Sequence, residues 1–167
     1  MVASLLFLFI AGVLGMRLLR IPSLPAGYQN PSPMAKPGSA LLSASEAAAY
    51  VKDYLVNPNP VQSWQPSKVD LDGLEDNLSQ IPNLRENAPS SRRHIDNPDQ
   101  YFRQYLAIVQ SGKKQIFVNA LCRNDVSHSD EWRHHLQVVI DGGDCYWQAW
   151  YDPAIQRFSN LMINGVA

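Results

Sequence analysis

Charge is scarce in this chain, and cysteine is scarcer. Only 17% of the 167 residues are charged, and the formal net charge is −1. A nucleic-acid partner calls for a basic face of Lys and Arg, so this balance excludes that class. The chain has no Gly-x-Ser-x-Gly elbow and no glycine-rich phosphate loop, and no motif in it calls for a cofactor. No apolar run reaches the roughly 20 residues that a spanning helix needs. The two cysteines, Cys122 and Cys145, are too few for a disulfide-rich scaffold. The apolar share of 46% is ordinary for a globular domain.

The apolar residues that are present are unevenly placed. Val2 to Met16, "VASLLFLFIAGVLGM", carries no charge, and Arg17 and Arg20 follow it. The run has the length of a signal-peptide core, with Val13 and Gly15 as the small residues before a cleavage point. Arginines on the far side oppose translocation and suit an uncleaved anchor instead. Residues 1–20 are therefore expected to be a signal peptide or membrane anchor, the chain's one membrane contact, and the protein to be exported to the periplasm or cell exterior. Residues 21–42 include Pro22, Pro25, Pro31, Pro33 and Pro37 and read as an extended linker. Residues 43–167 make one domain.

That domain opens with two helical stripes. Ser43 and Glu46 have capping-box spacing, and Ala47, Tyr50, Val51, Tyr54 and Leu55 recur along one face. Ser67 and Asp70 repeat the cap signal before Leu71, Leu74, Leu78 and Ile81. A polar stretch, "RENAPSSRRHIDNPD", follows, with Arg85, Arg92, Arg93 and His94 as a small basic group. From Tyr101 the period becomes two, and five strands are expected: 101–110, 115–123, 133–141, 144–151 and 157–164. The fold class is then α+β. Two N-terminal helices pack on one face of a four- to five-stranded antiparallel meander.

Two turns set the register. With Ser111-Gly112 as a turn, Tyr105 pairs with Val118 and Ala107 with Ile116 on one face. Leu106 then pairs with Phe117, Gln104 with Asn119, and Phe102 with Leu121 on the other. With Gly142-Gly143 as a hairpin turn, Val138 faces Trp147 and Gln137 faces Gln148. Trp147 then belongs to the core. Its opposite face carries Gln104, Asn119, His135, Gln137, Tyr146, Gln148 and Trp150. Amides amid aromatics must satisfy their hydrogen bonds, which suggests a surface made to be covered. The cover is a ligand, a partner protein, a second copy of the chain, or the protein's own N-terminal segment. Those seven residues are the candidate binding site.

In a simple meander Cys122 and Cys145 stand roughly 20 Å apart, whereas a disulfide needs Cα atoms within about 7 Å. Either the thiols are free, or the loop 124–132 carries the third strand elsewhere. "SHSDEWRHH" offers His128, Asp130, Glu131, His134 and His135, but their spacing matches no standard metal site, and none is assigned. "YFRQY" at 101–105, "FVNALC" at 117–122, "DGGDCYW" at 141–147, "YDP" at 151–153 and the terminal "NGVA" resemble a set of small exported bacterial proteins of unknown function. The resemblance covers residues 64–167 and implies no activity. The outline is similar to cystatin-like and nuclear-transport-factor-like rolls, but the Q-x-V-x-G loop of cystatin inhibitors is missing. The resulting expectation is an exported, non-enzymatic binding module that works through the amide and aromatic face. The alternative is a small hydrolase-type enzyme with its site between helices and sheet, using Arg103, His135 or Asp141; its catalytic residues are otherwise unknown.

Overall fold

A computed structural model describes residues 36–55, 62–87, 93–126 and 130–166. The apolar run 2–16, most of the proline-rich stretch, Arg92 and His128 lie outside them. The architecture is α+β around a mixed, six-stranded sheet. In chain order the elements are β1 (Ser39–Leu41), α1 (Ala44–Tyr54), β2 (Gln62–Ser63), α2 (Lys68–Asp76), β3 (Tyr101–Gln110), β4 (Lys113–Cys122), the single turn α3 (Arg123–Val126), β5 (Tyr146–Asp152) and β6 (Arg157–Ile163). The sheet order is β1-β3-β4-β5-β6, with β2 beside β1 on the outer edge of β3. β1 runs parallel to β3, so the sheet is not purely antiparallel. It is built from the end of the proline-rich stretch, whose final residues pair with Arg103, Gln104 and Tyr105.

The β3–β4 hairpin has the register its turn dictates: Tyr105 opposite Val118, Gln104 opposite Asn119, Phe102 opposite Leu121. Ser111 and Gly112 both take positive φ at that turn. Ser67 and Asp70 form a complete capping box on α2. Ser43 caps α1 by accepting from the Glu46 N–H, but the Glu46 carboxylate turns elsewhere.

Two expectations are corrected here. First, the helices lie on opposite faces of the sheet. Leu71 and Leu74 of α2, with Leu78 and Ile81 from the 3-10 turn after it, pack with Tyr105, Ile116, Val118, Trp147 and Tyr151. Ala47 and Val51 of α1 pack with Leu106, Ile108, Phe117 and Trp150. The central strands are apolar on both sides, so one layer cannot cover them. Second, residues 133–141 form no strand. β5 pairs directly with β4, placing Trp147 opposite Ala120 and Gln148 opposite Asn119. The segment from Asp130 to Gly142 instead crosses the α1 face as an irregular strap. Gly142 and Gly143 do adopt positive φ, but they turn the strap into β5 rather than closing a hairpin. A Cβ on Gly142 would come within 2.6 Å of the Tyr146 ring, so that corner admits only glycine.

This rerouting also decides the cysteines. With β4 and β5 adjacent, Cys122 and Cys145 meet at a Cα separation of 4.8 Å and form a disulfide. The bond closes the loop that holds the strap. At the other side of the sheet, β6 is an edge strand. Gln80 Oε1 accepts from the Phe158 N–H, the Asn87 N–H donates to Leu161 O, and Arg93 donates to Ile163 O and Asn164 O. The exposed ladder is thereby capped by side chains and one backbone amide.

Candidate functional site

Period two sends Gln104, Asn119 and Gln148 to one face of the sheet, away from Trp147, which is fully buried on the other. Asn164, one residue past β6, continues the row. Together they solve the problem an irregular strap creates, since its backbone groups have no ladder to join. Gln104 Nε2 donates to Trp132 O at 2.5 Å and to His135 O at 2.7 Å, while its Oε1 accepts from the Gln137 N–H at 2.9 Å. Asn119 Nδ2 donates to Gln137 O and to Gln104 Oε1. Gln148 Nε2 bridges Asn119 Oδ1 and Asn164 Oδ1, both at 3.2 Å. Asn164 Nδ2 then donates to Val139 O and Asp141 O.

Of the earlier candidates, the row thus unites Gln104, Asn119 and Gln148. Gln137 and His135 belong to the strap and meet the row through backbone atoms; the Gln137 side chain turns back to His135 O. The His135 ring is exposed and pairs with Glu46 at 3.3 Å. Glu46 also accepts from the Leu136 N–H at 2.9 Å, tying α1 to the strap. Trp150 is buried, edge-on to Phe117 at 5.2 Å. Tyr146 is half-buried against the Gly142 corner. Trp132 anchors the strap against Phe102, with ring centroids 4.6 Å apart.

The cover is incomplete at one place. A cavity of about 150 Å³ opens between α1, the strap and β6. Its floor is Asn119, Gln148 and Asn164, and its walls are Tyr50, Phe117, Leu136 and Val139. Tyr54, Val138 and Met162 form the rim and are 55%, 46% and 37% exposed, with Ile140 at 89% further along the strap. Tyr50 stacks on Phe117 at 4.4 Å, and burial, helped by Tyr54, pushes its hydroxyl up to about 12. The Tyr50 ring therefore stays neutral at physiological pH. Asn164, Tyr54, Val138 and Met162 are absent from the sequence-derived site. Asn164 was findable by carrying period two one residue beyond the last strand. Val138 was not, because it depends on the strap.

On the other face, Arg103 lies in a closed network. It donates to Glu75 Oε2 at 3.0 Å, to Tyr105 Oη at 3.1 Å and to the carbonyls of Pro98 and Tyr101. Burial holds the Tyr105 phenol far above its usual range, so it stays protonated and donates to Glu75 Oε1 at 2.6 Å. Arg103, His135 and Asp141 are not brought together, because Arg103 lies under α2 while the other two ride on the strap. A wider cleft of about 590 Å³ beside the disulfide is edged by exposed Asp96, Asp99 and Asp144. Its polar groups pair locally: His94 with Asp96, Arg123 with Asp99 O, Tyr101 with Asp144 O. Among the described residues no group of three or more acidic, His or Cys side chains could hold a metal ion, and no helix is long and apolar enough to cross a membrane. No family model, curated protein or solved structure matches the chain.

Proposed function

We propose that the protein is an exported, non-enzymatic binding module whose site is the open end of its amide and aromatic face. One observation carries this reading. The amide row is covered by the chain itself except at a cavity of about 150 Å³, and there three large apolar side chains, Tyr54, Val138 and Met162, are left at the surface. Exposed apolar groups that frame a concavity with a few placed polar atoms mark a binding opening. Among the described residues its lining holds no carboxylate, imidazole, thiol or ammonium group, so its chemistry suits recognition rather than proton transfer. The disulfide supports export, because such bonds persist in oxidising compartments.

Selection of a displayed random-peptide library on the purified domain tests the reading. The selected peptides are expected to share one anchor side chain and to lose binding to Met162→Arg, which fills the rim with a charge. No enrichment, or equal binding to Met162→Arg, overturns the proposal. Fractionation of cells expressing a C-terminally tagged chain checks export; tagged protein in the cytosol would contradict it.

A further inference from the structure

The hydrogen bonds of the row say what the opening accepts. Both N–H groups of each of its four amides are committed, to one another or to strap carbonyls. Their orientation is fixed from outside the row. The Gln137 N–H must meet Gln104 Oε1, and the carbonyls of Trp132, His135, Gln137, Val139 and Asp141 must meet NH₂ groups. The oxygens are not all committed. Gln104 Oε1 accepts twice, Asn119 Oδ1 and Asn164 Oδ1 accept once each, and Gln148 Oε1 accepts from no described residue. Asn119, Gln148 and Asn164 are the three amides that floor the cavity, so the floor offers hydrogen-bond acceptors and no donors.

Size and charge narrow the occupant further. A cavity of about 150 Å³ is the size that admits a benzene ring. The stacked Tyr50 and Phe117 rings supply an aromatic wall. A charged ligand group would lose its hydration there with no counter-charge among the described lining residues. An aliphatic or phenylalanine side chain would cover the open oxygens of Gln148 and Asn119 without answering them.

We infer that the opening takes a tyrosine side chain presented by a partner polypeptide, its ring packed against the exposed edges of the stacked Tyr50 and Phe117 pair and its hydroxyl donating to the open amide oxygens of the floor. The exposed rim of Tyr54, Val138 and Met162 argues for a polypeptide rather than a free phenol, because it extends the apolar surface beyond what one ring can cover. This rests on the binding-module reading and sharpens it.

The test uses the purified full domain and end-blocked five-residue peptides with Tyr, Phe or Leu at the centre, with p-cresol as the free phenol. Binding is followed by the NMR signals of the Asn119, Gln148 and Asn164 side-chain NH₂ groups. The Tyr peptide is expected to saturate and to move these signals, and the Phe peptide to bind about tenfold more weakly, as loss of one hydrogen bond implies. Met162→Arg should abolish Tyr-peptide binding while the NH₂ signals keep their folded positions. Gln148→Met should bring the Tyr and Phe peptides close to equal; if that variant does not fold, the wild-type Tyr-to-Phe ratio decides. Equal binding of Tyr and Phe peptides overturns the inference, and p-cresol binding as tightly as the Tyr peptide overturns the polypeptide source. If library-selected peptides use an aliphatic anchor blocked by Met162→Arg, the binding module stands and the tyrosine falls. If Met162→Arg blocks nothing, both fall.

Discussion

Arg103 and Gln104 are neighbours in β3 and serve opposite faces. Arg103 completes a charge network under α2, and Gln104 holds the strap. Both are buried polar groups whose worth lies in what their removal strands. Gln104→Leu would leave Trp132 O, the Gln137 N–H and one N–H of Asn119 Nδ2 without partners, while His135 O would keep only the Gln137 side chain. It is expected to cost about 3 kcal/mol in denaturant melts, since each stranded group costs roughly 1–3 kcal/mol. Arg103→Met would leave Glu75 buried beside a single phenol donor, an uncompensated charge of the kind that costs about 3–5 kcal/mol. Trp147 behaves differently. It is fully buried, yet its indole N–H finds no partner among the described residues. Trp147→Ala should lose about 3–5 kcal/mol through the cavity it leaves. Trp147→Phe should cost distinctly less, because it also removes the unpaired donor. Thermal or denaturant unfolding of the two variants side by side reads this difference.

At the scale of elements, the strap is the feature that sequence patterning misread. "HHLQVVIDGG" alternates well enough to pass for a strand and ends on a glycine pair suited to a hairpin. The alternation is real, but its backbone partners are side-chain amides on the sheet below rather than a neighbouring strand. Period-two counting sees the pattern and not the partner. The same counting did place Gln104, Asn119 and Gln148 on the face opposite Trp147, because that follows from strand parity in β3, β4 and β5, which needs no knowledge of the strap. It could not show that two helices divide between the faces, since both stripes are equally apolar. Nor could it pair the cysteines while a third strand was thought to separate them. The disulfide spans a sequence separation of 23. By loop-closure entropy a bridge of that span contributes about 3 kcal/mol. Reduction by a dithiol is expected to lower stability by about that amount. In hydrogen exchange the loss should appear first at the Leu136 and Gln137 amides, which are held by side chains alone.

For the whole molecule, two phenols set an alkaline limit. Tyr50 and Tyr105 are both raised by burial, Tyr50 to about 12, against about 10 in an unfolded chain. Their protonated forms are the folded forms, so the unfolded chain binds fewer protons once the pH passes 10. Their contribution is fully present below about pH 10 and declines as the pH climbs toward 12. Denaturant midpoints measured across that window should fall as tyrosinate absorbance rises; a flat midpoint would show that the two phenols ionise without unfolding. The strap has one more consequence, which concerns proteases. Its residues His134, His135, Val138, Ile140 and Asp141 are exposed and lie outside any regular element, so it is the natural place for a first cut. A cut between Cys122 and Cys145 would not part the chain. The two fragments would stay joined by the disulfide and held to the sheet by the amide row, and the nick would become visible only under reducing conditions.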